Sequence, residues 1–433
     1  MNIILCLTHN KPFLDMNKTI SLVLLLMASI FVMSCSKDDD NDNKVEPEGI
    51  TVELADDSYT EDGYFDGSLY YRIISESAKT AAVAKADVKA KNVTIPAIIV
   101  LKGKQYTVTE IDEYAFAVGP KASNGLPTGN VESVTFPNTI KKSAYRAFLQ
   151  CDKLKKTVAN DLESWCRIEF DNAGNPLING SSFFLKDGQK ITKLEIPQSI
   201  SKIRDYAFGG AAGITEVVLH DNVKEIGSNA FALMDNLKKV QFGAGLKTIG
   251  DYAFFACDNL GDIVIPDNVT SIEEDAFSDC KSITSFKMGE GVKKIEERTF
   301  FGCRSLKNIE IGKNVTEIEM EAFRSCDNLE TIEIPDKVAT VGSGVFTSCK
   351  KLKTITLPDA MRNFGHEVFA GCTALKTVNS HIKNPSKVSF FSYGEHFPNI
   401  STITLNVPVG TKDAYEALSP WNEFKTIVEK EGL

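Results

Sequence analysis

One phenylalanine recurs at a fixed interval through the second half of the chain. Each copy stands 23 residues after the previous one, most follow an isoleucine or valine by five residues, and six precede a cysteine by three. A period kept without slippage over so many copies indicates stacked coils, so the sequence predicts a β-rich solenoid of 23-residue coils. The recurring aromatic residues are Phe208, Phe231, Phe254, Phe277, Phe300, Phe323, Phe346 and Phe369.

Within one unit, residues 257–279, the apolar positions predict two short extended segments and a turn. Ile263 and Ile265 alternate with an outward residue, as in a half-buried strand, and Pro266 ends that strand. A second short extended segment follows, and an alanine–phenylalanine pair then predicts a turn or a short helical piece. One coil cannot shield its apolar side chains from water, but neighbouring coils about 4.8 Å away along the stack can.

The pattern changes at both ends of the repeat region and twice inside it. Residues 64–74 alternate around a glycine and predict a hairpin, whereas residues 409–421 predict a short helix and turn. The intervals from Phe116 to Phe148 and from Phe148 to Phe208 are longer than one and two 23-residue periods, respectively, and the extra residues indicate insertions. We therefore predict an N-terminal β cap at 49–107, a solenoid at 108–379 with insertions near 118–130 and 160–190, and a C-terminal cap at 380–433.

The start of the chain has the order of an export signal. A short basic segment beginning at Met16 precedes an apolar run, residues 20–33, that is too short for a comfortable membrane span and is followed by Cys35. This order resembles a bacterial lipoprotein signal, which implies that Cys35 is lipidated and becomes the new N-terminus. Residues 1–34 are accordingly predicted to comprise an over-extended start followed by a signal peptide.

Residues 35–48 form an acidic segment that is predicted to be a flexible tether. Its first part is similar to the signal that sends lipoproteins of Bacteroidetes bacteria to the outer face of the outer membrane. That similarity implies a lipid-anchored protein facing outward from the cell. A calcium loop is set aside, because Asn43 and Gly49 stand where such a loop needs glycine and glutamate.

The repeat itself resembles a known family. The unit Leu-x-x-Ile-x-Ile-Pro-x-x-Val-x-x-Ile-x-x-x-Ala-Phe-x-x-Cys, represented by Leu329 to Cys349 with Val345 in place of alanine, resembles the BspA-like leucine-rich repeat. The resemblance covers residues 108–405. It implies a leucine-rich repeat solenoid at the bacterial surface, where some members are implicated in adhesion to host matrix or to other bacteria. No catalytic residue is shared by that family, so none is assigned here.

Composition and motifs give no support to catalysis or to nucleic-acid binding. The chain has 48 basic and 58 acidic residues, a net charge of −10 and no Lys/Arg-rich run. Hydrolase, phosphate-loop and zinc-protease motifs do not occur, and Cys166 beside Trp165 is interpreted as a buried structural thiol. We therefore predict a protein that is not an enzyme, with no catalytic, cofactor-binding or metal-binding residues.

A column of cysteines accompanies the phenylalanine ladder, at Cys257, Cys280, Cys303, Cys326, Cys349 and Cys372. Stacked neighbours would lie within disulfide distance, but parallel ladder side chains point the same way. We predict free buried thiols that fill the corner below each phenylalanine, in preference to disulfides or zinc.

The predicted binding surface is the outward side of the first strand in each coil. The residue between the two inward positions changes chemical type from coil to coil, at Glu195, Val218, Gln241, Val264, Lys287, Glu310, Glu333 and Thr356. A variable surface on a rigid sheet is typical of protein-binding solenoids. The candidate partner-binding residues are Gln241, Val264, Lys287, Glu310, Glu333 and Thr356; the loop at 118–130 and the aromatic segment Phe390, Phe391, Tyr393 and Phe397 are further possibilities.

The sequence thus predicts a monomeric cell-surface lipoprotein that binds a host or microbial protein or glycan, as an adhesin does, and touches the membrane only through a lipid on Cys35. Two alternatives stay open. One is an accessory protein of carbohydrate uptake or a glycan-active enzyme. The other is a purely structural envelope protein.

Overall fold

Each regular coil folds into two short strands and a run of turns, as the predicted solenoid requires. Each strand pairs in parallel with the corresponding strand of a neighbouring coil. A computed structural model describes residues 47–56, 58–119, 128–391 and 396–433. The predicted signal peptide, Cys35 and the tether as far as residue 46 lie outside the described residues. Within the described ranges, no helix is both long enough and apolar enough to span a membrane.

The first strand of each coil alternates buried and outward residues, and pairs in parallel with its counterpart one period away. Ser285 lies opposite Asn308 and Lys287 opposite Glu310, so the pairing register equals the sequence period. These strands form the first strand row: Lys193–Glu195, Glu216–Val218, Lys239–Gln241, Ile263–Val264, Ser285–Lys287, Asn308–Glu310, Thr331–Glu333, Thr354–Leu357, Thr377–Ser380, Thr404–Pro408 and Thr426–Lys430. We call its outward side the strand face.

The second strand of each coil ends in most cases on a buried isoleucine or valine. The strands of this second strand row are Lys202–Ile203, Glu225–Ile226, Thr248–Ile249, Ser271–Ile272, Lys294–Ile295, Glu317–Ile318, Thr340–Val341, Asn363–Phe364 and Ser389–Phe390. The first row comprises sheets of three, three and five strands, and the second row sheets of four and five. Backbone bonds continue across a break between sheets, since Gly261 N–H donates to the carbonyl of Lys238 at 3.0 Å.

A mixed nine-stranded sheet lies at the N-terminal end, and it contains the predicted hairpin. Tyr64 pairs antiparallel with Tyr71, and Phe65 with Tyr70. Its strands are Thr51–Leu54, Tyr59–Thr60, Gly63–Phe65, Leu69–Ser75, Thr80–Ala86, Ile98–Leu101, Lys104–Ile111, Lys142–Ser143 and Glu169–Phe170. A four-stranded parallel sheet accompanies it, with strands Asn92–Thr94, Ser133–Phe136, Lys156–Ala159 and Ser182–Leu185.

Helices occur only in short pieces within the described residues. The α-helix Leu162–Cys166 lies where an insertion is predicted, and its N-cap Asp161 accepts a hydrogen bond from the backbone N–H of Ser164 at 2.7 Å. The second α-helix, Lys412–Glu416, agrees with the helix predicted near the C-terminus. The 3₁₀ turns are Pro176–Asn179, Pro385–Lys387, Ile400–Thr402 and Trp421–Glu423.

The phenylalanine ladder forms the centre of the core. Adjacent rings from Phe208 to Phe369 lie 5.2–6.2 Å apart with interplanar angles of 6–15°, and all are fully buried. Phe397 continues the ladder by stacking on Phe369 at 5.1 Å. Each ring therefore buries its faces against the coils on both sides, which couples neighbouring coils.

The irregular coil before Phe208 keeps the aromatic core continuous by other means. Phe116 stacks on Phe148 at 4.4 Å, and Trp165 and Phe183 then fill the gap before Phe208 with ring contacts of 4.8 and 6.1 Å. The indole N–H of Trp165 donates to the carbonyl of Ala207 at 2.9 Å. A buried tryptophan needs such an acceptor, so this bond positions the ring in the ladder.

The segment around each phenylalanine is a run of turns, which we call the turn row. The residue two before the phenylalanine has positive φ in every coil: Tyr114, Arg146, Tyr206, Asn229, Tyr252, Asp275, Arg298, Glu321, Gly344 and Glu367. Alternate backbone N–H groups then point at the next coil; that of Phe208, for example, donates to the carbonyl of Ala230 at 2.9 Å. The sequence left open a turn or a short helical piece, and the structure has turns.

Candidate functional site

The candidate partner-binding residues lie in one line along the strand face. Val218 is paired in register with Gln241, Lys287 with both Val264 and Glu310, and Glu333 with Thr356. Gln241, Val264, Lys287, Glu310 and Glu333 are exposed, whereas Val218 and Thr356 are half-buried. Val264 is 65% exposed, an unusual level for a valine.

This line is held rigidly because its flanking residues are part of the core. Ile263 and Ile265 on either side of Val264 are each 2% exposed, and Phe286 beside Lys287 is 1% exposed. Side chains on one strand alternate between faces, so burial of the flanking residues fixes the outward direction of the residue between them. The strand face therefore presents its side chains from a backbone that cannot easily rearrange.

The charges on the strand face interact across coils. The Lys287 Nζ lies 3.0 Å from a carboxylate oxygen of Glu310, and that hydrogen bond raises the pKa of Lys287. Both side chains are largely exposed, so the ion pair adds little to stability. The pair places a positive charge, Lys287, beside a negative charge, Glu310, on the strand face, and the next coil adds a second acid, Glu333.

The cysteine column is buried, and its thiols make a contact that the sequence did not reveal. The described cysteines are all free. Each thiol of the regular column donates to the carbonyl of the phenylalanine in the preceding coil, with Sγ to O distances of 3.0–3.3 Å. Burial raises the pKa of Cys257 to about 12. Cysteine at this position thus fills space and also binds a buried carbonyl, which alanine cannot do.

Cys166 is a buried structural thiol, as expected. It is 2% exposed, and burial raises its pKa well above the ordinary value. The thiolate is the reactive form of cysteine, so this environment suppresses nucleophilic chemistry. Among the described residues, no group of three or more His, Cys, Asp or Glu side chains is arranged to hold a metal ion.

The other two candidate surfaces are the aromatic segment at 390–397 and the loop at 118–130. Parts of both lie outside the described residues, and two of the aromatic side chains belong to the core packing. Phe397 is buried in the ladder, and Phe390 packs against Phe364 and Trp421, each at 5.1 Å, so both serve the C-terminal packing. Phe391 is 58% exposed. Tyr393 and residues 120–127 of the loop lie outside the described residues.

A solenoid of short coils with stacked parallel strand rows and a 23-residue period has the architecture of a leucine-rich repeat protein. The model of the BspA type leucine rich repeat region matches this chain in 6 copies, over residues 104–173, 178–303 and 270–396. The chain belongs to that family. Its members are typically bacterial surface proteins and are generally non-enzymatic repeat scaffolds.

The chain is similar to several solved structures, and the first of these shows the same fold. The pneumococcal vaccine antigen PcpA is 17% identical with a TM-score of 0.53, over 84% of this chain and 98% of that one. A leucine rich cell surface protein from Faecalibacterium prausnitzii is 21% identical with a TM-score of 0.41, over 73% and 94%. A leucine-rich repeat protein from Bacteroides ovatus is 23% identical with a TM-score of 0.36, over 75% and 98%. No curated protein matches the chain.

Proposed function

We propose that this protein is a lipid-anchored protein of the outer bacterial membrane that faces outward, as a monomer, and binds a macromolecular partner without catalysis. Family membership supports a place at the cell surface. The order of basic segment, apolar run and Cys35 supports the anchor. One acyl chain holds a protein only weakly, so stable anchoring requires more than one chain on Cys35.

The observation that carries the binding role is the line of outward residues from Gln241 to Thr356, all of them exposed except the half-buried Thr356. Its flanking positions are uniformly apolar and are buried or half-buried, whereas the line itself contains an amide, an aliphatic side chain, both signs of charge and a hydroxyl. A rigid backbone loses little conformational freedom when a partner binds, so preorganised side chains can contribute most of their interaction energy. This favours recognition of a large, extended partner, either a protein or a glycan.

The binding role is tested with the full chain immobilised against purified host matrix proteins, intact bacteria and polysaccharides. We expect saturable binding to at least one of these. The variant Val264→Asp with Lys287→Glu should weaken that binding at least about tenfold, since it alters the centre of the line. The control variant Thr248→Asp changes a residue of the second strand row and should leave binding unchanged.

Two results would contradict the proposal. If the chain binds none of the matrix proteins, bacteria or polysaccharides, a structural envelope role is favoured. If the chain releases reducing sugar from a polysaccharide, it is a glycan-active enzyme. Anchoring is tested separately by Cys35→Ala, which should move the protein out of the membrane fraction and remove it from the set of proteins that protease shaves from intact cells.

A further inference from the structure

Four lysines form an unneutralised cluster near the start of the solenoid. Lys153, Lys155, Lys156 and Lys190, which we call the lysine cluster, are all exposed. None of them forms an ion pair with a carboxylate of the described residues, although Lys91 pairs with the cleft residue Glu132 at 3.2 Å. Such a cluster is unexpected in a chain with a net charge of −10.

An outward aromatic ring draws two of these lysines together. Phe184 lies on the strand Ser182–Leu185 and pairs antiparallel with Lys190 across a tight turn. The Nζ atoms of Lys156 and Lys190 lie 4.9 and 6.0 Å from the centroid of the Phe184 ring. The ring's electron-rich face attracts ammonium groups, so Phe184 holds two like charges near one another without neutralising them.

The other two lysines face an open cleft beside this pair. The cleft has a volume of about 630 Å³ and is lined by Asn92, Glu132, Ser133, Asp152, Lys153, Lys155 and Lys156. The Lys153 Nζ donates to the side-chain oxygen of Asn130 at 2.7 Å, and the Lys155 Nζ to the carbonyl of Asp152 at 2.9 Å. An ammonium group has three donors, so each lysine is positioned by one bond and keeps others for a ligand.

The charge balance of the cleft is positive. Of its two carboxylates, that of Glu132 is paired with Lys91, so Asp152 alone opposes three lining lysines. A cleft with an excess of one sign of charge concentrates ligands of the opposite sign. The cleft therefore favours an anionic ligand.

The neighbouring strands add groups that suit a polyhydroxyl ligand. Asn92 and Thr94 on one strand, and Ser133 and Thr135 on the next, point to the same outward side as Phe184. Ser133 Oγ lies 2.7 Å from the side-chain oxygen of Asn92. Among the described residues, no tryptophan, tyrosine or arginine, the usual anchors of protein interfaces, lines the cleft. A row of hydroxyl and amide groups leading to dispersed ammonium groups matches a chain of sugars carrying separate negative charges.

We propose that the lysine cluster and its cleft bind an anionic polysaccharide through carboxylate or sulfate groups. This site lies apart from the line of candidate partner-binding residues between Gln241 and Thr356. It extends the proposed binding role to a second surface with a defined ligand class. Its test does not depend on the outcome at that line.

The test measures binding of the full chain to four polymers at low and at physiological salt. Polygalacturonate carries carboxylates, heparin fragments carry mainly sulfates, dextran is neutral, and poly-L-glutamate is an acidic peptide. We expect salt-sensitive binding to polygalacturonate or heparin, which also identifies the anionic group, and none to dextran. Binding of poly-L-glutamate as tight as that of both polysaccharides would overturn the proposal, because simple charge attraction would then be sufficient.

A matched pair of double variants places the site. Lys153→Ala with Lys155→Ala should weaken polysaccharide binding at least about tenfold, because charge-assisted hydrogen bonds are lost. Lys351 and Lys353 occupy the same positions after Cys349 that Lys153 and Lys155 occupy after Cys151, but Lys353 is neutralised by Glu330 at 2.6 Å. Lys351→Ala with Lys353→Ala should therefore change binding less than about twofold. Equal losses in the two variants would overturn the assignment.

Discussion

The inward and outward columns of this solenoid share one 23-residue register and differ in what constrains them. Phe300 is fully buried between Phe277 and Phe323, and any other side chain there must fit the space between two coils. Val264 is 65% exposed and contributes to no such packing. Packing in the core therefore imposes the repeated residues. The outward column is free of that packing constraint, and its side chains are therefore available for recognition.

The sharpest test of this comparison removes one ring of the ladder. Phe300→Ala should lower the free energy of unfolding by about 3–5 kcal/mol, because it leaves a cavity between stacked coils. Val264→Ala on the strand face should change it by less than about 0.5 kcal/mol. Urea denaturation followed by circular dichroism measures both. Similar losses in the two variants would show that inward and outward columns do not differ as described.

A second test concerns backbone constraint in the turn row. Ser325 has a φ of 62°, and Gly302 occupies the same position one coil earlier with a φ of 69°. Ser325→Gly should stabilise the protein by about 0.5–1 kcal/mol, since glycine adopts this left-handed conformation without the steric cost that a Cβ imposes. Its backbone N–H, which donates to the carbonyl of Thr347 at 2.8 Å, is retained.

The control for this variant is Ser305→Gly, at a position without positive φ. It should destabilise by about 0.5–1 kcal/mol, because glycine there only increases the freedom of the unfolded chain. Thermal unfolding of the two variants side by side gives the answer. A loss of stability in Ser325→Gly as large as that in Ser305→Gly would mean that side-chain contacts, not φ, determine the residue at this position.

The sequence predicted the ladder and the strands of the regular coils because both leave a periodic apolar signal. The turn row was only partly predictable, since its left-handed positions hold Tyr206, Asn229 and Arg298 where glycine would have been diagnostic. The inter-coil backbone bonds, not the local residue, impose that conformation. The replacement of missing ladder rings by Trp165 and Phe183 was equally hidden, because neither residue obeys the 23-residue spacing.

The surface was predictable by position but not by chemistry. The line from Gln241 to Thr356 follows directly from strand alternation. The lysine cluster does not, because a short Lys-Leu-Lys-Lys run at residues 153–156 looks unremarkable in an acidic chain. Its distinctive features are the approach of Lys190 to Phe184 and the absence of ion pairs between the four lysines and the carboxylates of the described residues.

The smallest effect is expected for the pH dependence of stability when either of two carboxylates, Asp251 or Asp262, is replaced. The two lie in opposite environments. Burial, followed by repulsion from Glu273 and Glu274, raises the pKa of Asp251 to about 6. Hydrogen bonds from the hydroxyl of Thr284 at 2.7 Å and the backbone N–H of Ser285 at 2.9 Å lower the pKa of Asp262 on the outward side.

A raised acid pKa means that the folded state holds its proton more tightly than the unfolded chain does, so the charged Asp251 is destabilising above pH 6. Asp251→Asn should therefore raise the thermal midpoint at pH 7.5, with the gain disappearing as the pH falls toward 4. Asp262→Asn should lower the midpoint at pH 7.5, and this loss should persist at pH 4 and disappear only as the pH falls through the lowered pKa of Asp262, because the favourable bonds to the charged carboxylate are then lost. Midpoints of both variants, measured from pH 7.5 to below the ordinary aspartate pKa of about 3.9, show the two trends, and parallel trends would contradict the difference in environment between the two carboxylates.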